Sequence, residues 1–474
     1  MRRTLSRSGL LAAAVLVSAA ASAQDADPFS NANFDDLFGN SFDSDSIEGD
    51  SLFDNASEAP GHFRFQLSQQ LSGHLNRHRI TTPDGNSVQR SHGVETSRLG
   101  LNLRYQNPFA TGWLLQGSAQ ARVWAKGDYE FDSPGRDDGE WRINELFIQR
   151  SGSTHSFSFG RQTIVWGETV GNSVLDVINT TEYRDLSIID IEDARLNQWL
   201  LVWDMFTEQG NWSSFVNLYP EFDPVPVTGS PLYPQAREVM GVPLRLGYHR
   251  RSKALFEAGT RWSRSLTGSD IAFMAAWLYE NPLRYTLPAD ITSSLQDGQL
   301  RAQSQINDHG LLGFSANRAI GRLLLTLDVA YNHGILSDRI NTAALPGGGT
   351  VPVPGFTQGN RLAASAGLEY GISPTQQFSL SVAAQRDQGA EMDSRGNVLM
   401  RYSNNLRNDE LILSVTLQSQ LDAEAMLMFL GADWRLSDDW ELSSQLVLTR
   451  ADTQTPLYFL DQDVRAGVTL SWNF

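Results

Sequence analysis

Apolar and polar residues alternate with a period of two through most of the chain from Gly61 to Phe474. This period is typical of β-strands, because successive side chains of a strand point to opposite faces. The last segment shows it best, with an apolar face that carries Val464, Ala466, Val468, Leu470, Trp472 and Phe474. Strands of soluble proteins average ~5–6 residues. The longer alternation here, repeated at 323–331, 411–420 and 440–449, favours another class of sheet.

Strands of this length predict a membrane-spanning barrel. A tilted strand of ~9–11 residues crosses the hydrocarbon layer, and a closed antiparallel ring leaves no unpaired backbone edge in lipid. Apolar faces then contact lipid, polar faces line a wet lumen, and aromatic residues near the strand ends form the interfacial girdles. Trp472 and the terminal Phe474 resemble the C-terminal assembly signal of bacterial outer-membrane barrels. The sequence therefore predicts an all-β, transmembrane antiparallel β-barrel.

Turn spacing predicts the strand number. Eight tight turns alternate with longer connections at 77–91, 127–138, 168–196, 221–253, 281–307, 334–358, 388–394 and 451–461, and with a shorter one at 421–424. Short periplasmic turns and long outer loops are the rule in such barrels. Nine outer loops and eight turns predict 18 strands with both ends periplasmic; 16 is the alternative, because the region 242–252 is ambiguous. A barrel of this size encloses an aqueous channel.

The N-terminal part predicts export to a Gram-negative cell outer membrane. Residues 1–23 have the charged, apolar and small-residue regions of a signal peptide. Residues 24–60 hold ten acids and no Lys or Arg, which predicts a disordered periplasmic arm, with a partner-docking motif as the alternative. The whole chain has a net charge of −17 and no cysteine. An acidic chain disfavours nucleic-acid binding, and the missing thiols exclude disulfide, thiol-enzyme and zinc-thiolate chemistry.

The alternation places a set of arginines on the polar, inward faces: Arg98, Arg104, Arg122, Arg361, Arg435 and Arg465. Two interpretations are open. They pair with wall acids such as Glu369 and Asp433 and make the wall rigid, or they form an electrostatic ladder that steers anions.

The stretch after the fifth predicted strand, which we expect to end at Trp166, lacks a clear strand pattern. It combines aliphatic residues (Val174, Leu175, Val177 and Ile178) with a polar set: Glu168, Asp176, Asn179, Glu182, Arg184, Asp185, Glu192, Asp193 and Arg195. Aliphatic residues need a surface to pack on, so we expect this loop to fold into the barrel as a constriction; the alternative is a cap on the outer mouth. Its surplus of acids favours cations, unless wall arginines neutralise it.

A family resemblance is found at the start of the same stretch. Gly160, Arg161, Gln162, Trp166 and Gly167, followed by Glu168 and Asn179, resemble the central motif of a Gram-negative, porin-like outer-membrane barrel family of unassigned function. A shorter Gly-Arg-Gln element distantly resembles alginate-export and phosphate-type porins. The resemblance implies a channel, and periplasmic components of a lipid-handling exporter as partners. Thr180 stands where the family usually has proline.

The combined prediction is an outer-membrane channel for passive or facilitated passage of solutes, either polar or hydrophobic and lipid-like. The expected partners are outer-membrane lipid and the barrel-assembly machinery. A structural barrel that docks periplasmic lipid-transport machinery is the alternative. An outer-membrane hydrolase, with His78 or His92 near Ser91, is weaker, because no Gly-x-Ser-x-Gly elbow is present. The eight histidines show no metal-binding spacing, so neither an enzyme nor a cofactor is expected.

Overall fold

A computed structural model describes residues 61–474, apart from 82–86, 91, 127–138, 183–193, 225–237, 240–241, 247–253, 288–294, 297–298, 345–348, 389–392, 422–423, 453–454, 456 and 458–459. The predicted signal peptide and acidic arm, residues 1–60, lie outside this part. In the part that is described, no helix is long and apolar enough to cross a membrane.

Eighteen antiparallel strands form one closed ring, as predicted. In chain order they are β1 (His62–His74), β2 (Gly93–Ala110), β3 (Trp113–Lys126), β4 (Gly139–Ser151), β5 (His155–Gln162), β6 (Gln198–Thr207), β7 (Gly210–Asn217), β8 (Glu257–Leu266), β9 (Ser269–Tyr279), β10 (Asp308–Ile320), β11 (Leu323–Ala344), β12 (Thr350–Ser373), β13 (Gln376–Gln388), β14 (Asp393–Leu406), β15 (Leu411–Gln420), β16 (Ala425–Arg435), β17 (Trp440–Ala451) and β18 (Val464–Asn473). Strand β1 pairs with both β2 and β18, which closes the ring.

The two faces of the wall differ as the alternation predicts. Large apolar side chains stand exposed on the outer surface, among them Phe157, Phe159, Trp277, Leu312 and Trp472. Polar side chains between them point inward and are buried, among them Gln66, Thr96, Asp328 and Arg465. An apolar outer surface on a closed ring matches lipid, since no backbone edge is left unpaired.

Connections at the two ends of the barrel differ in length. The eight turns at one end contain two to four residues each, and most connections at the other end are far longer. The described part of the ambiguous region 242–252 adds no strand to the ring: Val242–Leu246 pairs with Glu238–Val239 and runs parallel to Gln299–Gln305. The other short strands outside the ring are His78–Thr81, Ser87–Arg90, Thr180–Thr181, Arg195–Leu196, Arg284–Thr286 and Leu295–Gln296.

The prediction that residues 334–358 form a loop is wrong, because their described part forms a paired hairpin. Strands β11 and β12 continue through it, from the bulge at Gly334 to the pair Ala344↔Thr350. Proline cannot donate to a sheet ladder, so Pro352 and Pro354 need an unpaired strand edge. Pairing of β12 with β13 ends at Asn360↔Gln388, so both prolines lie beyond the part of β12 that pairs with β13. This hairpin extends beyond the wall of its neighbour.

The C-terminus completes the closing seam between β18 and β1. The backbones of Phe474 and Phe65 exchange two hydrogen bonds, of 2.9 and 3.0 Å. The Phe474 ring stacks on Phe65 with centroids 5.4 Å apart and on Trp472 at 4.6 Å. Phe474 therefore extends the final ladder and covers it with an aromatic row.

Replacing Phe474 with Asp places a charge in this row and should reduce the amount of heat-modifiable barrel in the outer membrane. Phe109→Asp is the matched control, since Phe109 is 47% exposed, compared with 58% for Phe474, and lies away from the seam. Gel-shift assays on membrane fractions measure the assembled form. Equal losses in both variants would show that the seam has no special role in assembly.

Candidate constriction site

A long segment leaves the wall at the end of β5 and returns at the start of β6. We call residues 163–197 the constriction loop. Strand β5 ends at Gln162 rather than at Trp166 as expected, because Trp166 already belongs to the loop's packed part. Leu175 and Ile178 are almost wholly buried, and they pack with Trp166 on inward wall residues: Leu200, Val202, Phe215, Ala272, Met274, Leu278, Leu311, Ala330 and Ala363. The loop thus folds inward, onto strands β6 to β12.

The residues of the Gly-Arg-Gln…Trp-Gly motif lie at the end of β5 and in the first part of this loop. A Cβ on Gly160 would lie 2.1 Å from a backbone oxygen of β4, so only glycine allows this approach. Gly167 has a φ of +97° and turns the chain in a conformation that other residues rarely adopt. Trp166 lies edge-on to Phe215 with ring centroids 5.5 Å apart. Its ring also fills the space beside Gly259, another inward glycine.

The other two motif residues, Gln162 and Arg161, hold the start of the loop in place. Gln162 donates from Nε2 to the Leu200 carbonyl at 3.2 Å and accepts from the Ser158 hydroxyl at 2.8 Å. Arg161 binds Glu221, with its Nη1 2.8 and 2.9 Å from the two carboxylate oxygens. These contacts join β5 to β6 and to the connection after β7. The motif is therefore explained by loop architecture.

One buried carboxylate on the wall anchors the tip of the loop. Asp328 of β11 has no exposed surface and accepts the backbone N–H groups of Glu168, at 2.9 Å, and Thr169, also at 2.9 Å. Ser365 of β12 points its hydroxyl at the same carboxylate from 3.5 Å. Backbone N–H groups satisfy an ionised acid well, so this contact pins the turn at Gly167 to the wall.

Glu168 adds a second link between loop and wall. Its two carboxylate oxygens lie 3.3 Å from Arg261 Nη2 on β8 and 3.0 Å from Asn317 Nδ2 on β10. Burial raises the pKa of Glu168, and the contacts with Asn317 and Arg261 oppose that shift. The loop thus places an acid in the lumen together with partners that hold it.

The far end of the loop is held by residues of two other connections. Asn281, which follows β9, donates from Nδ2 to the carbonyls of Val177, at 3.0 Å, and Asn179, at 2.7 Å. Asp223, which follows β7, accepts the Thr181 N–H at 2.8 Å. Burial raises the pKa of Asp223 to about 7, and the nearby Glu182 carboxylate adds to the shift.

The predicted polar residues of the loop fall into two groups. Asp176 pairs with Arg195 at 3.0 Å, and Glu182 lies 3.7 Å from Arg142 of β4. Asn179 bonds the Ile164 backbone through both side-chain atoms, at 3.3 and 2.7 Å, which closes the base of the loop. The rest of the predicted set lies outside the described residues: Arg184, Asp185, Glu192 and Asp193. Every predicted acid of this loop that is described has an arginine nearby.

The predicted inward arginines differ in their surroundings. Arg361 binds Asp387 through two hydrogen bonds of 2.5 and 2.7 Å, and Glu369, an acid expected to pair with them, accepts from Gln377 instead. Arg435 is exposed at the turn end of β16. Arg98 and Arg122 are buried on β2 and β3, Arg104 is half-buried on β2, and Arg465 is buried at the seam.

A row of hydrogen-bonded amide side chains runs along the inner wall from β1 to β4. Asn102 donates to Gln66 at 2.8 Å, Gln120 donates to Asn102 at 2.8 Å, and Arg142 donates to Gln120 at 3.2 Å. Because Arg142 also lies beside Glu182, the row connects β1 to the constriction loop. The part of the chain that is described contains no group of three His, Asp or Glu side chains able to hold a metal ion.

Sequence reasoning missed the residues that hold the loop: Asp223, Arg142, Arg261, Asn281, Asn317 and Asp328. Only Asp328 carried a visible signal, as a lone acid among the leucines of its strand. Its partners are backbone N–H groups far away in the sequence, which no local pattern indicates.

The chain is similar to several solved structures, at low sequence identity. No protein-family model matches the chain, and no curated protein sequence matches it. Among solved structures, OccK8 (OprE) of Pseudomonas aeruginosa is 10% identical with a TM-score of 0.48, covering 87% of this chain and 98% of its own. Acinetobacter baumannii OccAB4 is 8% identical with a TM-score of 0.48, covering 89% and 99%. An anion-selective porin from Comamonas acidovorans is 12% identical with a TM-score of 0.37, covering 88% and 100%.

Replacing Asp328 with Ala should free the tip of the constriction loop. Two charge-assisted hydrogen bonds are lost, and such bonds contribute about 1.5–3 kcal/mol each. We expect a lower free energy of unfolding in urea and a noisier, larger single-channel conductance. Ser365→Ala is the control, because its hydroxyl makes only long contacts, at 3.4 and 3.5 Å. Equal effects of the two substitutions would contradict the anchoring role.

The buried Asp223 predicts a pH dependence of stability. Its folded pKa of about 7 exceeds the ordinary value of 3.8, so the folded state is favoured while the acid is protonated. Stability should therefore fall as pH rises from about 4 to about 7 through this group. Asp223→Asn removes the charge and should flatten that part of the profile, measured as Tm against pH. An unchanged slope would mean that Asp223 is solvated.

Proposed function

We propose that this protein is a channel of the Gram-negative outer membrane for passive or facilitated passage of polar solutes. The observation that carries the proposal is the constriction loop anchored to the inner wall of an 18-stranded barrel. Barrels of this size enclose water, and an inward loop narrows the passage without closing the ring. Export by the N-terminal signal, insertion by the barrel-assembly machinery and contact with outer-membrane lipid belong to the same proposal.

Burial of the aliphatic loop residues favours a polar solute over a lipid-like one. Leu175 and Ile178 are 0% and 1% exposed, and Val174 and Val177 pack against the same cluster. These are the side chains that a hydrophobic cargo would need to contact. Their surface is used for packing on the wall instead, while amides and arginines remain along β1 to β4.

Charge pairing favours weak ion selectivity. A preference for cations needs loop acids that are not compensated, but Glu168, Asp176 and Glu182 each lie within 4 Å of an arginine. We therefore propose a near-neutral passage with weak ion selectivity.

Two further expectations stay within this proposal. The channel acts without catalysis and without a cofactor. Its porin-like character, including the distant resemblance to alginate-export and phosphate-type barrels, is proposed at the level of a solute channel. Docking of periplasmic lipid-transport components by residues 24–60 is the alternative function, and it predicts that the purified barrel alone conducts poorly.

Excision of Val170–Asp190 with a short Gly/Ser bridge tests the proposed function. The flanking strands still pair from Gln198↔Gln162 to Met205↔His155, so the barrel should assemble. We expect a clear rise in single-channel conductance in planar bilayers, because the loop no longer fills the lumen. A hairpin deletion of residues 341–353, beyond the wall formed by β13, is the control and should leave conductance unchanged. An excised, inserted barrel with wild-type conductance would contradict the proposal.

A further inference from the structure

Four charged side chains meet where the barrel closes at the end with the long connections. His74 ends β1, Arg465 lies opposite it on β18, Asp463 precedes β18, and Glu95 belongs to β2. His74, Arg465 and Asp463 are 8%, 4% and 2% exposed. We call these four residues the seam cluster.

Local backbone geometry directs Glu95 into this cluster. Pairing of β1 with β2 runs from Ser72↔Thr96 to Gly73↔Val94, so Glu95 is the extra residue of a β-bulge. A bulge re-aims a side chain that regular alternation would point elsewhere. Gly73 permits the close approach, because a Cβ there would lie 2.2 Å from the Gly93 carbonyl oxygen.

Two carboxylates flank the imidazole ring of His74. Its Nδ1 lies at a hydrogen-bond distance of 2.6 Å from an Asp463 carboxylate oxygen, and its Nε2 lies 3.2 Å from a Glu95 carboxylate oxygen. Ionised carboxylates only accept hydrogen bonds, and a neutral imidazole carries a single N–H group. A positive charge on the ring is therefore stabilised from both sides, and the arrangement favours the imidazolium form.

Arg465 joins the same two acids from the opposite side. Its Nη1 lies 3.0 Å from Glu95 and its Nη2 lies 3.4 Å from Asp463. Two cations and two anions thus form a closed, charge-balanced ring. Loss of the proton from His74 leaves two carboxylates facing one cation in a buried place, where an uncompensated charge is costly.

The cluster lies at the base of two outer connections, residues 75–92 and 452–463. Asn76 donates from Nδ2 to the Gln462 carbonyl at 2.7 Å and accepts the Val464 N–H at 3.0 Å. Leu75 N–H bonds the Val464 carbonyl at 2.8 Å, and Asp463 N–H bonds the Leu460 carbonyl at 3.0 Å. Movement of Asp463 therefore disturbs the base of both connections at once.

We propose that the seam cluster is a proton-controlled latch that holds these two connections against the outer end of the barrel. With His74 protonated, the ring of contacts is complete and the connections are held. The two acids retain the proton on His74, so the latch is released as pH rises above the ordinary histidine value of ~6.5. Acidic conditions thus hold the bases of the two connections, at Leu75–Asn76 and Leu460–Asp463, and alkaline conditions release them.

Planar-bilayer recordings between about pH 5.5 and about pH 8.5 bracket this range and test the latch. In the wild type, the frequency of brief closures should rise with pH, by roughly tenfold if one buried charged contact is lost. His74→Gln is neutral throughout and should show the high frequency at every pH. His74→Lys keeps the charge and should show the low frequency at every pH.

His333→Gln is the matched control. His333 bonds Asn360 at 2.8 Å and is exposed, so this variant should keep the wild-type pH response. Limited proteolysis of the wild-type barrel, with cleavage mapped in 75–92 and 452–463, needs no variant and should increase over the same pH range. A pH response that persists in His74→Gln, or wild-type cleavage and closures that ignore pH, would overturn the latch and make the cluster a permanent ion network.

Discussion

Closure of the backbone ladder is the constraint on which the rest of the structure depends. In lipid, each unpaired N–H or C=O group costs several kcal/mol, so the first and last strands have to meet. Nine residue pairs, from Gln66↔Asn473 to His74↔Arg465, make this junction. The aromatic row around Phe474 lies at one end of it and the seam cluster at the other. Both specialised groups of side chains therefore lie where the ring closes.

A second constraint follows from the space inside. A lumen of this size is too wide for side chains alone to shape it, so a segment of chain has to be brought inward. Buried backbone groups need hydrogen-bond partners, and wall residues and a neighbouring connection supply them to the constriction loop. Two of its N–H groups donate to Asp328, and two of its carbonyls accept from Asn281. Its aliphatic residues then pack as a small core on β6 to β12, and the polar wall of β1 to β4 is left to face the passage.

Much of the fold could be predicted from sequence because the alternation is local. The 18 strands, the eight turns and the inward loop all follow from residues that are neighbours in the chain. The hairpin 334–358 was misread as a loop, because β11 and β12 continue to pair with each other past the end of β13 at Gln388, and no local pattern indicates that extension. Asp328 and Glu95 could not be assigned roles, because one acts on a distant backbone and the other is turned inward by a bulge. The acid that pairs with Arg361 was also predicted incorrectly. Arg361 pairs with Asp387 on the neighbouring strand β13, rather than with Glu369 on its own strand β12.

Cross-linking of the loop tip to the wall tests the central claim that the loop lies inside the barrel. A Cβ on Gly367 of β12 would lie 3.2 Å from Thr169 Cγ2, an atom one bond beyond the Thr169 Cβ, so the two positions are close enough for a disulfide. The chain has no cysteine, so a Thr169→Cys/Gly367→Cys double variant carries one defined pair. Oxidation of the inserted barrel should give nearly complete cross-linking, whereas Thr169→Cys/Gly431→Cys, paired with a distant strand, should give none. An inserted Thr169→Cys/Gly367→Cys barrel whose thiols stay free would place the loop outside the lumen and contradict the account.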